Sequence, residues 1–258
     1  MCGNEVTIAV CGEGRTAAAV AAGLGWLGHA VACSPELPRA ELSAEPGLGD
    51  ACADLLRSGR LRCSRAAART VFVCGADRVS ELDGRAAVGG TVVNSCLPPW
   101  GSTPALASAL GRADLRFVSH PLTLRRGSAL RDFLAPECLV LGSDDPAAVE
   151  AVAGLYAAVP APVVRADPRT ADLVGPARDG LCAVKQQFFA ELERFCRAVG
   201  ADVGSVVECL RVDQRIGRPH TCAATDRLDP GQRRPAARLR ALAGDDVPPT
   251  FRALDVRP

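Results

Sequence analysis

A chain whose first apolar run is Val6-Thr-Ile-Ala-Val10-Cys11, turning at once into Gly12-Glu13-Gly14-Arg15-Thr16-Ala17, has few ways to fold. The β-branched run predicts a strand buried on both faces, as in a parallel sheet. Two glycines two residues apart predict a tight turn. The Ala-rich, polar-poor segment Ala18–Leu27 predicts a helix whose N-terminus faces that turn. In this order the pieces form a G-x-G-x-x-A version of the dinucleotide fingerprint. Gly12 allows the turn, and Gly14 lets the backbone approach a pyrophosphate. Ala17 replaces the third glycine, whose task is close helix–strand packing. Gly12, Glu13, Gly14 and Arg15 are therefore candidate cofactor-binding residues. The plainer alternative is a βα turn with incidental glycines.

Downstream the alternation continues. Gly28-His29 turns into a strand over Ala30–Cys33, which in an NAD-binding unit ends in an acid that holds the ribose hydroxyls. Here Ser34-Pro35 follows, with Glu36 one place late and Arg39 beyond. Either Glu36 serves the ribose of NAD, or Ser34 and Arg39 receive the 2′-phosphate of NADP, or Arg39 is a solvated loop residue. Glu45–Ser58 predicts a helix, Gly59–Cys63 leads into a strand, and Thr70–Cys74 is a strand ending at Gly75, a further cofactor-side candidate. Strands over Gly90–Asn94, Leu115–Ser119 and Cys138–Gly142 alternate with helices over Pro104–Leu110, up to Phe133, and over Ala147–Ala158, the last capped by Ser143 or Asp144. This spacing predicts an α/β fold with a Rossmann-like, doubly wound parallel sheet. From Thr170 to Val199 only Pro176 interrupts a long helix, and Phe188, Phe189, Leu192 and Phe195 stripe one side of it. The stripe suits burial against a partner subunit or packing within the chain. Ala201–Val212 predicts one more helix. The expected organisation is a dinucleotide-binding domain over 1–167, a helical dimerisation domain over 168–224, and a poorly ordered tail over 225–258.

Composition narrows the function classes. Hydrophobic residues make up 48% of the 258 and aromatics only 4%, so the core is built from Ala, Val and Leu. A net charge of +1 makes no electrostatic case for nucleic acid or anionic membrane. Twelve cysteines are scattered singly, none in C-x-x-C, which argues against zinc-ribbon and thioredoxin chemistry and leaves no metal site in view. No basic-then-apolar leader precedes the first strand and no apolar run is long enough to span a bilayer, so a soluble, cytoplasmic protein is expected.

The order and wording of these pieces resemble the UDP-glucose/GDP-mannose dehydrogenase family. The carrying segments include Val6–Ala17, Leu27-Gly-His29, Glu45-Pro-Gly-Leu48, Ser58-Gly-Arg-Leu61, Ser95–Gly101, Leu124-Arg-Arg-Gly-Ser-Ala-Leu130, Ala171-Asp-Leu173, Phe189-Ala-Glu191 and Asp213–Gly217. The resemblance implies a Rossmann domain followed by a helical domain that forms a homodimer through the long helix. It also implies oxidation of a nucleotide sugar at C6 in two hydride transfers to NAD or NADP, through a cysteine-bound intermediate.

Several positions depart from the family pattern. Leu122 and Arg126 stand where the family has glutamates, and neither serves general acid–base catalysis near neutral pH. Gly175 and Asp179 replace the Lys and Asn that polarise the reacting oxygen, and Cys96 replaces the Thr of Ser-Thr-Val-Pro. Cys222 and Asp226 keep the nucleophile's Cys-to-Asp spacing without its glycine-rich loop, either as its descendant or by coincidence, with His220 nearby as a possible base. Cys222, Asp226, Asp179 and Cys96 are the catalytic candidates. Arg215 and His120 are the substrate-binding candidates; Arg215 has the alternative role of a helix C-terminal charge. The family continues into a further αβ domain that holds the substrate's nucleotide half, a task that would fall here to another subunit or protein. The expected activity is a single alcohol–carbonyl step by an NAD(P)-dependent oxidoreductase acting on a sugar or nucleotide sugar. The alternatives are a catalytically degenerate, nucleotide-binding accessory or regulatory subunit, or an enzyme for a different small substrate.

Overall fold

The computed structural model describes residues 8–34, 42, 45–75, 82–96 and 103–216. Among them, eight strands form one sheet in the order β3-β2-β1-β4-β5-β6-β7-β8. The strands are β1 (Ile8–Cys11), β2 (Val31–Ser34), β3 (Leu61–Cys63), β4 (Ala68–Val73), β5 (Ala86–Asn94), β6 (Arg116–Ser119), β7 (Leu139–Gly142) and β8 (Val163–Ala166). The first six run parallel in doubly wound order, as the alternating sequence predicts.

One pairing differs from the all-parallel expectation. β7 meets β6 antiparallel through a single residue pair, Ser119 with Gly142, and β8 then pairs parallel to β7. Side chains and a charge pair stitch the rest of this seam. Arg116 Nε lies 3.2 Å from Asp145 Oδ2, Ser143 Oγ donates to Phe117 O at 2.6 Å, and the His120 ring bonds Val140 O at 3.0 Å.

The helices are α1 (Gly14–Trp26), α2 (Leu48–Arg57), α3 (Thr103–Leu110), α4 (Ala129–Leu134), α5 (Pro146–Gly154), α6 (Pro168–Val199) and α7 (Val203–Val212). Strand alternation sorts β1 between two cores. Ile8 and Val10 join Val20, Leu24, Phe133, Leu141 and Tyr156 on one face, while Ala9 and Cys11 join Val71, Val73, Val92 and Leu106 on the other. α1 is buried along most of its length, which explains why its sequence carries no polar face. A Cβ on its Gly23 would fall 2.0 Å from the Phe133 ring, so glycine is what lets α1 meet α4. α5 starts on Asp145, whose Oδ1 accepts from Ala147 N at 2.9 Å, one residue beyond the caps expected from sequence.

The chain divides into two compact units, residues 1–175 and 176–258. The 32-residue α6 runs through the division, which falls at Gly175-Pro176. Pro176 has no N–H to offer the carbonyl of residue 172, so the helical ladder is one bond short there. In the second unit, Asp202 caps α7 through Gly204 N at 3.4 Å and Ser205 N at 2.8 Å, and Lys185 Nζ donates to Ile216 O at 2.7 Å. Among the described residues no helix is long and apolar enough to cross a membrane. The tail expected over 225–258 lies outside the described residues.

Candidate functional site

Where β1 and β4 lie side by side the strand order reverses, and in open α/β sheets ligands bind outside the carboxyl ends of strands at such a point. There the first unit holds a cavity of about 220 Å³ lined by Arg15, Thr16, Cys74, Gly75, Ser95, Cys96, Leu122 and Leu124. Its wall is assembled from the residues that follow β1, β4, β5 and β6. Backbone bonds beyond the strand ends hold them in place: Gly12 N to Ser34 O at 3.2 Å, Cys74 N to Cys11 O at 2.7 Å, and Ser95 N to Val73 O at 2.9 Å.

Gly12 has φ 144°, and a Cβ there would sit 2.9 Å from the Cys74 carbonyl carbon and 3.0 Å from Gly75 N. Conformation and space therefore both demand glycine. Gly14, at φ 77°, opens α1, and Glu13 at its N-cap makes no side-chain capping bond. The first turn of α1 thus presents backbone N–H groups and the positive end of its dipole next to the cavity. Ser34 is buried, and its carbonyl receives the Gly12 N–H.

The cavity's charge comes from Arg15. Its Nη1 lies 3.7 Å from Oε1 of the buried Glu45, which also accepts from Gly127 N at 3.0 Å and, through Oε2, from Ala129 N at 3.2 Å. Glu45 thereby ties the glycine turn to the start of α4. Sequence reasoning marked Glu45 only as a helix opener, because its backbone partners Gly127 and Ala129 lie more than eighty residues away. Asp132 fixes the same loop. Burial alone would raise its pKa, but hydrogen bonds from the Arg125 side chain (Nη2 to Oδ1, 2.7 Å), Arg125 N (2.8 Å) and Ser128 Oγ (2.9 Å) hold it below the usual range.

A second polar knot braces the wall from behind. Asp172, near the start of α6, accepts from Thr103 N at 2.6 Å, Thr103 Oγ1 at 3.0 Å and Ser119 Oγ at 2.5 Å. Thr103 Oγ1 takes a bond from Asn94 Nδ2 at 3.1 Å, and Asn94 Oδ1 receives Cys96 N at 3.1 Å. Burial raises the Asp172 pKa against the opposing pull of these hydrogen bonds.

The sequence-predicted residues are distributed unevenly. Arg15, Gly75 and Cys96 line the cavity, with Gly12, Gly14 and Ser34 in the surrounding turn. Cys96 Sγ donates to Val73 O at 3.4 Å, and burial together with Cys96 and Cys11 raises the Cys74 thiol well above its ordinary value. At Cys74 desolvation and neighbouring thiols dominate, the opposite of what makes a cysteine nucleophilic. Leu122 lines the cavity as an apolar group, and Arg126 is exposed.

His120 corrects the sequence expectation. It is 1% exposed, with Nδ1 on Val140 O and Nε2 at 3.0 Å from the Tyr156 hydroxyl, so both ring nitrogens are spent inside the core and none faces a substrate. Desolvation lowers its pKa to about 4. Asp179 belongs to the second unit, where its Oδ1 lies 3.8 Å from Arg178 Nη2. Arg215, also in that unit, folds back on Asp213 through Nη2–Oδ2 at 2.5 Å and Nε–Oδ1 at 3.0 Å. Glu36, Arg39, His220, Cys222 and Asp226 lie outside the described residues.

No family model matches the chain. The UDP-glucose 6-dehydrogenase TuaD of Bacillus subtilis is 32% identical over 132 residues, 49% of this chain and 29% of its own length. The UDP-glucose 6-dehydrogenase of Rhizobium meliloti is 36% identical over 110 residues, 41% of this chain and 25% of its own. The match thus spans less than a third of either relative. A solved UDP-glucose dehydrogenase from Pyrobaculum islandicum superposes with a TM-score of 0.71 at 28% identity, over 86% of this chain and 60% of that one. A GDP-mannose dehydrogenase from Pseudomonas aeruginosa, at 19% identity and TM-score 0.69 over 96% of this chain and 67% of that one, shares the fold. The resemblance drawn from the sequence is borne out in both sequence and fold.

Proposed function

We propose that this chain is a nicotinamide-dinucleotide-dependent oxidoreductase of the nucleotide-sugar dehydrogenase type, and that it runs one alcohol–carbonyl step instead of a two-step oxidation. The observation that carries the dinucleotide is the turn at Gly12, which has no room for a Cβ and leads into the start of α1 beside the cavity. When bound, the dinucleotide supplies the hydride acceptor. Gly12 and Gly14 admit the phosphates, the first turn of α1 donates to them, and Arg15, steadied by Glu45, adds the positive charge. Cys74, Gly75, Ser95 and Cys96 form the adjoining wall, where Leu122 and Leu124 help exclude water.

The single-step limit rests on what lines that wall. Among the described residues that line it there is no carboxylate, and burial raises the Cys74 thiol well above its ordinary value. An activated thiol and a base for hydrolysis are what a second oxidation would need. The same neutral wall favours a second reading, a nucleotide-binding accessory subunit without turnover. The choice between NAD and NADP stays with Glu36 on one side and Ser34 with Arg39 on the other.

We also propose a homodimer. Leu181, Phe188 and Phe195 are 60%, 55% and 63% exposed at seven-residue spacing, which puts them on one side of α6.

Titrating NADH and NADPH against the cofactor's own fluorescence tests the reading. Binding of at least one, lost in Gly12→Ala, is expected; binding of neither overturns it. Binding without reduction of the dinucleotide by any nucleotide sugar selects the accessory reading.

A further inference from the structure

The β3 edge of the sheet carries a thiol pair that the dinucleotide site does not use. Cys33, third residue of β2, and Cys63, last residue of β3, are register partners on adjacent parallel strands, and their sulfurs lie 3.8 Å apart. Cys33 is 2% exposed, with its sulfur also 3.6 Å from Arg62 O, whereas Cys63 is exposed to solvent. We propose that Cys33 and Cys63 are a redox modification site, in which a hydroperoxide oxidises Cys63 and Cys33 closes a disulfide between β2 and β3.

The backbone already satisfies the geometric requirement. Adjacent strands lie about 4.8 Å apart, inside the Cα separation of about 4.4–6.8 Å that a disulfide spans. The sulfurs close to about 2 Å by side-chain rotation as the Cβ atoms draw to within about 3.5–4.5 Å. The division of labour follows exposure. The Cys63 thiolate attacks a peroxide oxygen; the S–O bond forms, the O–O bond breaks, and the departing hydroxide (alkoxide, from an organic peroxide) takes a proton. The resulting sulfenic acid is attacked by the Cys33 sulfur as its proton leaves. The S–S bond forms, the S–O bond breaks, and water departs. Two thiols and one hydrogen peroxide thus yield one disulfide and two waters. Burial, then the neighbouring Cys63, pushes the Cys33 pKa up to about 12, which suits a thiol that waits for an oxidised partner. A dithiol restores the pair by exchange. The proposal is independent of the dinucleotide reading.

Peptide mapping of the intact chain tests it, because cleavage after arginine releases Cys33 alone in residues 16–39 and Cys63 in the tripeptide 63–65. After brief peroxide treatment of the folded protein and digestion without reductant, a 16–39/63–65 cross-link that dithiothreitol dissolves is expected. In Cys33→Ser the expected product is a dimedone-trapped sulfenic acid on Cys63. In Cys63→Ser, Cys33 is expected to remain a thiol. Recovery of both peptides as free thiols, or a cross-link of Cys33 to Cys52 in residues 40–57, would overturn the assignment.

Discussion

Protonating His120 would place a charge inside the core, which burial disfavours. Its Nδ1 donates to Val140 O and its Nε2 accepts from the Tyr156 hydroxyl, so a second ring proton would require that hydroxyl to turn and accept. The folded-state pKa of about 4 lies below the ordinary 6.5 because burial disfavours the charged ring. Between those values the unfolded chain binds a proton that the folded chain does not, so stability falls as pH drops from 6.5 to 4 and levels off below. The loss amounts to about 3 kcal/mol. Chemical denaturation across that range should show it, and His120→Gln should give a flatter profile. Asp172 makes the opposite kind of demand. Asp172→Ala strands the Thr103 N–H and two hydroxyls in the interior and should cost about 2–3 kcal/mol in unfolding free energy, with an unchanged denaturant slope. At this scale, legibility followed the range of the interaction. Gly12 was readable because its demand is local backbone geometry. His120 was misassigned and Glu45 undervalued because their partners, Tyr156 and Gly127, are distant in sequence.

Among the elements, α1 and α6 show two ways in which a helix states its surroundings. α1 is apolar all round because it is covered all round, and its closest approach is Gly23 against Phe133. Gly23→Ala gains helix propensity yet should destabilise the fold by about 1–3 kcal/mol, since the ring has to move; thermal melting checks the sign. α6 keeps Leu181, Phe188 and Phe195 in solvent. Phe188→Glu with Phe195→Glu should shift sedimentation towards the monomer without changing the helical signal. Most strands were readable as short apolar runs. β8 was not, because Val163–Ala166 is a partly exposed strand with Arg165 in its middle and Pro160 and Pro162 before it, and no alternation marks it. The reversal of β7 was equally hidden, since a run of apolar residues does not state its direction.

Across the whole molecule the alternation of strands and helices carried the architecture, and the resemblance carried the chemistry to be looked for. The departures read from the sequence at Leu122 and Cys96 both fall in the wall of the cavity, to which Leu122 presents an apolar side chain.

The β6–β7 seam has a further consequence. Elsewhere in the sheet, rows of backbone bonds join neighbouring strands; here one residue pair and a few side chains do so. A sheet joined in this way opens along the join before it frays at its centre, with β7, α5 and β8 leaving as one cooperative block. Native-state hydrogen exchange should therefore find the amides of Val140 and Leu141 exchanging together, at a lower opening energy than those of Ala9 and Val10.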